Sequence, residues 1–289
     1  MAGRAGQPAL VPSVALRRLQ ELPRDAQRVL RRSRPELAAR LTWEIKRRRG
    51  DRALSLVERV VAHGDHAVDL GANWGLFTAR MAELTGPTGR VTAFEPNPAH
   101  AATLGAIARR HPWVTLHLAA VSAEPGAADL AVPVHEGREL SALASLDPTA
   151  APDDVRFEKL PVAVTTLDAA LDGAPPVRFV KCDVEGHELD ALRGGEAMLR
   201  RDRPALLVEA EQRHQRSGSV TDVFEYLAAL GYDGWCLRPH GLTPMDGFDV
   251  ERDQLAFLRD GAFVAHDMPA GYVNGFLFLA PGSPSPASR

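Results

Sequence analysis

Apolar positions along the chain fall into two regimes. Between Pro35 and Val61, Leu37, Leu41, Ile45, Leu54, Val57, Val60 and Val61 recur at near-helical spacing, with Pro35 suited to a first turn and Gly50 to a break. Residues 13–22 carry the same helical pattern. From His66 onward, short strand-like runs alternate with helical segments. HAVDL (66–70) precedes a predicted helix from about Trp74 to Leu84 and a GPTG turn, and RVTAFE (90–95) leads through PNP into a helix over Ala99–Arg110. VTLHLAAV (114–121) reads as the third strand. VRFVKCDV (177–184) feeds a helix over His187–Leu199, PALLVEA (204–210) feeds Thr221–Leu230, and YDGWCL (232–237) and YVNGFLFLA (272–280) are late strands. Alternation of this kind predicts an α/β fold, a doubly wound parallel sheet with right-handed crossovers, and the last strands can pair antiparallel. Residues 122–165, with ADLAVPV and LPVAVTT but no convincing helix, predict a β-rich insertion or lid between two core strands. The expected organisation is a helical arm over 1–60, one α/β domain over 61–289, and a disordered tail over 282–289.

Composition narrows the class. Hydrophobic residues at 45% and charged residues at 25% are ordinary for a globular protein, and no apolar run approaches a membrane span. The start lacks a continuous apolar core of the secretory kind, and two cysteines, Cys182 and Cys236, make no disulfide framework. Both features fit a cytoplasmic protein. Charge is uneven: residues 1–52 hold 14 Arg and Lys against 5 Asp and Glu, while the remainder holds 20 against 32. A basic arm on an acidic body is either a solvated helical face or a docking surface for an acidic carrier, membrane lipid or a second copy. No aromatic residues interleave with its arginines, so a nucleic-acid surface is not expected.

VDLGANWG (68–75) closes the first core strand. In open α/β sheets, ligands bind beyond the carboxyl ends of strands, where the strand order switches. Gly71 permits a sharp turn, Gly75 a close approach of the next helix to the strand, and amides at that helix start can meet an anionic group. Asn73 stands where a dinucleotide fingerprint has its second glycine, and no GK[ST] follows, which excludes a nucleoside-triphosphate loop. A cofactor without phosphates tolerates that side chain, and S-adenosylmethionine is one. Glu95 ends the second strand, where an acid can accept both ribose hydroxyls. Asp69 is placed to meet the amino-acid end of the cofactor, and Pro96 and Pro98 fix the loop around Asn97. Taken singly, such strand-end acids also serve as helix caps.

KCDVEGHELDALRGG (181–195) crowds Lys181, Asp183, Glu185, His187 and Glu188 onto the end of a central strand, a better active-site pattern than any surface charge run. Glu185 and Glu188 have an alternative use in favouring a helix N-terminus. Asp183, Glu185 and His187 are the candidates for a general base, the carboxylates ranked first for location. Asp183 and Glu185 with Glu209 or Glu211 offer oxygen ligands to Mg²⁺, although no fixed spacing marks a metal site.

The ordered set VDLGANWGLFT, RVTAFEPNP, AAVS, VTTLD, FVKCDVEGHELDALRGG and PALLVEAE resembles the FkbM family of S-adenosylmethionine-dependent methyltransferases, over about residues 64–235. The resemblance implies the class I, Rossmann-like methyltransferase fold, with a mostly parallel seven-stranded sheet and a late antiparallel hairpin. It also implies methyl transfer to a hydroxyl of a sugar, polyketide or other secondary metabolite. By position, Asp69, Gly71, Ala72, Asn73 and Gly75 match the cofactor glycine loop, and Glu95 the ribose acid. Asn97 falls near adenine or ribose, Ala120, Val121 and Ser122 beside adenine, and Asp183 near the methionine end and the acceptor. An NAD(P)-dependent oxidoreductase and a non-catalytic module of the same fold are the competing readings. Asn73 with the missing third glycine counts against the first, and the intact acids against the second.

Overall fold

The structure is a computed structural model that describes residues 24–135, 138–139, 144–146, 155–215, 217–259, 262–263, 269 and 271–283. The expected helix over 13–22 and most of the expected disordered tail lie outside those residues. Three helices open the described chain: α1 (Arg24–Ser33), α2 (Pro35–Arg48) and α3 (Arg52–Val60). α2 carries Pro35 and Glu36 in its first turn and Lys46, Arg47 and Arg48 in its last, each sign matching the helix dipole. Gly50, at φ 84°, separates it from α3, whose first turn Asp51 caps by accepting from the Leu54 amide.

The core then unfolds as β1 (His66–Leu70), α4 (Leu76–Thr85), β2 (Arg90–Phe94), α5 (Ala101–Arg110) and β3 (Val114–His117). The run read as one strand over 114–121 splits. Leu118 and Ala119 leave the main sheet, and β4 (Ala120–Val121) pairs instead with a second sheet. That sheet is the insertion: β5 (Gly126–His135), β6 (Arg138–Glu139) and β7 (Val155–Thr165), in the order β4-β7-β5-β6. β5 and β7 form a long antiparallel ladder from Gly126↔Val164 to His135↔Val155.

After α6 (Leu167–Ala170) come β8 (Val177–Cys182), α7 (Glu188–Arg193), α8 (Glu196–Asp202), β9 (Ala205–Glu209) and α9 (Thr221–Ala229). The single helix expected over 187–199 is broken at Gly194–Gly195. A side chain on Gly194 would collide with the Ser122 carbonyl, so the chain closes tightly against the insertion there. β10 (Asp233–Arg238), β11 (Gly241–Pro244), α10 (Val250–Asp253), β12 (Leu258–Arg259), β13 (Ala262–Phe263) and β14 (Gly275–Leu279) complete the described elements.

The main sheet runs β11-β10-β14-β9-β8-β1-β2-β3. Pairs from β9 to β3 are parallel, and β14 runs antiparallel between β9 and β10. Eight strands replace the expected seven because β11 turns back on β10 at the edge. Both faces are covered, which explains the unbroken apolar runs. On β9, Leu206 and Val208 enter the core under α7–α9, while Leu207 meets α3 and α4 on the other face. The order reverses between β1 and β8, and the crevice at their carboxyl ends is the place for a ligand.

Candidate functional site

The turn after β1 is held by backbone. Gly71 N and Ala72 N both donate to the Phe94 carbonyl, at 3.1 and 3.0 Å, which ties the loop to the end of β2. A side chain on Gly71 would run into the Asp183 carbonyl, and its φ of 74° is left-handed, so glycine is required on both counts. Asn73 also adopts a left-handed φ of 52°, with its side chain accepting from Trp74 N at 2.8 Å. Gly75 faces Ile107 and Leu104 of α5, so the close approach it allows is to that helix rather than to a strand.

Glu95 is nearly fully buried just after β2. One carboxylate oxygen accepts from Asn73 N at 2.7 Å and the other from Asn97 N at 2.8 Å. These two amides fix the carboxylate's plane, and each oxygen keeps a lone pair for a further donor. Burial pushes the Glu95 carboxyl up to about 7, against the opposing pull of both amides.

On the other side of the switch point, β1 pairs in register with β8, so Asp69 stands opposite Lys181. The Lys181 ammonium lies 3.0 Å from Asp183, 3.7 Å from Asp69 and 3.1 Å from the Gly71 carbonyl, to which it donates, and sits 5.0 Å from the Phe77 ring centre. Burial alone would lower its pKa, but Asp183 and Asp69 outweigh that and hold it above the ordinary lysine value. Lys181 thereby pins the glycine turn, the strand-end acid and a buried aspartate to one point.

Glu185 and Gly186 follow, both left-handed at φ 53° and 95°. The turn packs on the segment after β9, where His214 Nδ1 lies 2.7 Å from the Glu185 carboxylate. Burial raises Glu185. Burial would depress His214, but the Glu185 hydrogen bond and charge raise it overall. The insertion reaches the same turn: Ser145 Oγ donates to the Glu185 carbonyl at 2.6 Å, and Ser145 is itself bridged to Ala131 of β5. His187 Nε2 meets Ser122 Oγ at 2.9 Å. Glu188 accepts from Gly186 N at 2.9 Å and from Gln215 at 3.2 Å, so it stabilises the turn rather than facing the crevice.

One open crevice joins these parts. Of the sequence-predicted residues, Gly71, Asn73, Glu95, Ala120, Val121, Asp183, Glu185 and His187 line it. Asp69, Ala72, Gly75, Asn97 and Ser122 do not. Asp69, expected to meet the amino-acid end of the cofactor through water or directly, is fully buried, accepts from Thr78 at 2.6 Å and lies 3.7 Å from Lys181. The Asn97 side chain instead accepts from Ala99 N. Phe94, Leu130, Leu146 and Val184, which the sequence did not single out, supply an apolar wall together with Pro96. A lysine inside the apolar run VRFVKC was the available signal for Lys181, whereas Ser145 and His214 carried none.

The oxygen ligands considered for Mg²⁺ are engaged elsewhere. Asp183 faces Lys181, Glu185 faces His214, Glu209 accepts from Asn274 at 2.6 Å, and Glu211 accepts from Tyr272 at 2.6 Å and Arg213 at 2.6 Å. Among the described residues no group of three or more His, Cys, Asp or Glu has metal-holding geometry. The donor set does not fit a magnesium site.

A glycine turn after β1, an acid after β2 and acids after β8, on a sheet of this order, define a class I, Rossmann-like methyltransferase arrangement. A family model described as the methyltransferase FkbM domain matches residues 69–233, more than half of the 289-residue chain. The chain belongs to the FkbM methyltransferase family, a class that takes its methyl group from S-adenosylmethionine. Among solved structures, the chain is similar to a methyltransferase FkbM from Methylobacillus flagellatus, 18% identical over 92% of this chain and 58% of that one, with a TM-score of 0.45. It is also similar to fibrillarin from Aeropyrum pernix in complex with S-adenosylmethionine, 14% identical over 76% and 68%, with a TM-score of 0.38. An S-adenosylmethionine-dependent O-methyltransferase from Thermotoga maritima is 14% identical over 82% of this chain and 67% of that one, at a TM-score of 0.37. No curated protein matches the chain. Among the described residues no helix is long and apolar enough to cross a membrane.

Proposed function

We propose that the protein is an S-adenosylmethionine-dependent O-methyltransferase acting on a hydroxyl of a small sugar, polyketide or related metabolite. The observation that carries this is the single cavity lined at one end by Glu95 and the glycine turn and at the other by Asp183, Glu185 and His187. When bound, the cofactor supplies a methyl group already activated on a sulfonium, so the chain's own work is alignment, water exclusion and proton removal.

In this reading the Glu95 carboxylate, fixed by the Asn73 and Asn97 amides, accepts the ribose hydroxyls. Gly71 and Asn73 shape the floor beneath them, and Ala120 and Val121 pack beside the base. Lys181 sets the position of Asp183 at the methyl end, with Asp69 holding Lys181 from below. An alcohol proton is weakly acidic, so a base must receive it as the carbon–oxygen bond forms. Asp183, Glu185 and His187 face that position, and the charge of Asp183 is balanced by Lys181 at 3.0 Å. Leu130, Leu146 and Val184 exclude water from the acceptor side.

The test uses ¹³C-methyl S-adenosylmethionine with the small-molecule extract of the native host, read by carbon NMR. A new methoxy signal that vanishes with Asp183→Ala and with Glu185→Gln is expected. An N-methyl or S-methyl signal would overturn oxygen as the acceptor atom, and full transfer by both variants would remove them from catalysis.

A further inference from the structure

Asp183, Glu185 and His187 all line the crevice, but what holds each of them differs. Asp183 lies 3.0 Å from the Lys181 ammonium, whose other acidic neighbour, Asp69, is at 3.7 Å. A proton on Asp183 would take the nearer counter-charge from a buried cation, which is costly. His187 Nε2 is committed to Ser122 Oγ at 2.9 Å. Glu185 is held by one oxygen only: Oε2 meets His214 Nδ1 at 2.7 Å. An ionised carboxylate has acceptors alone, so Nδ1 carries the hydrogen of that bond and donates it. The other carboxylate oxygen is left for a donor in the crevice.

His214 does not line the crevice and reaches Glu185 from a short turn after β9, Gln212–His214. Gln254, fully buried beyond α10, locks that turn. Its side chain accepts from Gln212 N at 2.7 Å and donates to the Ala210 and Val273 carbonyls at 2.9 and 2.8 Å. The Gln212 side chain in turn accepts from Val220 N at 3.0 Å. Beneath Glu185 the fit is close, since a side chain on Gly186 would collide with the His214 carbonyl. The backbone of the 185–186 turn is fixed independently, by Ser145 Oγ on the Glu185 carbonyl at 2.6 Å and by Glu188 on Gly186 N at 2.9 Å. Glu185 is therefore held at its main chain by one set of groups and at its carboxylate by His214. Asp183, Glu211 and Arg213 are the other charged groups around the pair, and Glu211 is paired with Arg213 at 2.6 Å. Burial raises the Glu185 carboxyl above its ordinary value, which favours its taking a proton.

We propose that Glu185 is the base that takes the acceptor's hydroxyl proton and that His214 is its positioning residue, holding Oε2 so that the other oxygen serves the crevice. The inference rests on the methyltransferase reading above. As the acceptor oxygen bonds the methyl carbon, its O–H bond breaks and the proton passes to Glu185. The electron pair of the methyl–sulfur bond stays on sulfur, so a carboxylate and a sulfonium are neutralised together, and the proton leaves later to water.

The test combines rates from the ¹³C-methyl assay with the host extract, calorimetry with S-adenosylmethionine, and ¹⁵N-histidine spectra of the free protein. His214→Ala should slow methoxy formation by at least about tenfold, a cost in line with a misplaced catalytic group, with S-adenosylmethionine affinity unchanged. His214→Asn, whose amide nitrogen can stand where Nδ1 does, should recover most of the rate, and it replaces His214→Ala should that variant not fold. In a Glu185→Gln background His214→Ala should add no further loss, because the two act as one unit. The spectra, which need neither cofactor nor acceptor, should show His214 Nδ1 protonated and its resonance shifted in Glu185→Gln. Full rate in His214→Ala, no recovery in His214→Asn, an additional loss in the double variant, or an Nδ1 signal indifferent to Glu185→Gln would each overturn the proposal. Wild-type protein that fails to bind S-adenosylmethionine defeats the methyltransferase reading itself, whereas binding and transfer with any of those results defeats this inference alone.

Discussion

The two ends of the main cavity are built by different means. At the end proposed to hold the cofactor, short turns at the tips of β1 and β2 hold Glu95 through the amides of Asn73, two residues from Gly71 and Gly75, and of Asn97, two residues after Glu95. At the acceptor end, side chains from distant segments meet: Ser145 of the insertion on Glu185, His214 on Glu185, and Ser122 on His187. The first end is local and rigid, and its geometry follows from glycine positions. The second depends on how the β5–β7 sheet and the segment after β9 pack over the turn at 183–187. Under the proposed function, the first end takes the shared donor and the second the acceptor.

The sharpest way to break the contrast is to remove the group joining both ends. Lys181→Met strands Asp69 and Asp183 without their cation, and a cost of about 3–5 kcal/mol is expected. Urea denaturation measures it. A loss under 1 kcal/mol would mean that Lys181 does not join the two ends.

Each end also holds one buried carboxyl raised by burial to about 7, Glu95 at the cofactor end and Glu188 under the acceptor turn. Unfolded glutamate titrates near 4.3, so between those values the folded chain binds more protons than the unfolded one, and stability falls as pH rises. Each group contributes on the order of 3 kcal/mol to that decline. Melting temperatures between pH 5 and 8 should therefore drop, and the slope should become shallower in Glu95→Gln and in Glu188→Gln. An unaltered slope in both would contradict the assigned burial effect.

For binding, Glu95→Gln should weaken S-adenosylmethionine by about tenfold or more at pH 8, since the variant loses a charged acceptor. The wild type should also bind more weakly at pH 6 than at pH 8 as Glu95 protonates. Titrations of both proteins at both pH values isolate the Glu95 share, because the variant lacks it.

The smallest effect belongs to the insertion. Ser145→Ala removes one hydrogen bond to the Glu185 carbonyl and should cost about 1 kcal/mol in stability, while leaving cofactor affinity alone and slowing methyl transfer. Lowered cofactor affinity in that variant would show that the two ends are not separable in the way described.

What the sequence revealed follows the same line. VDLGANWG and the acid of RVTAFE were readable because their constraint is local: a left-handed Gly71, an acid at a strand tip, and no room beside Asp183. The alternation of runs likewise exposed the doubly wound sheet, since each parallel strand is apolar on both faces. The split of 114–121 was hidden because Leu118 and Ala119 are as apolar as a strand interior, and only pairing with β7 pulls Ala120 away. The hold of Asp69 on Lys181 was hidden for a related reason: a strand-end acid reads the same whether it meets a ligand or a buried partner, and only the register opposite Lys181 reveals the partner. His214 and Ser145 reach the turn from 29 residues after and 40 residues before Glu185, and no short motif encodes such meetings.

Calorimetry with S-adenosylmethionine, with NAD(H) as the contrast, tests the central claim most directly. One mole of S-adenosylmethionine should bind per mole of chain, Glu95→Ala should weaken or abolish that binding, and NAD(H) should give no heat. Absence of heat with S-adenosylmethionine, or equal binding by wild type and Glu95→Ala, would contradict the account.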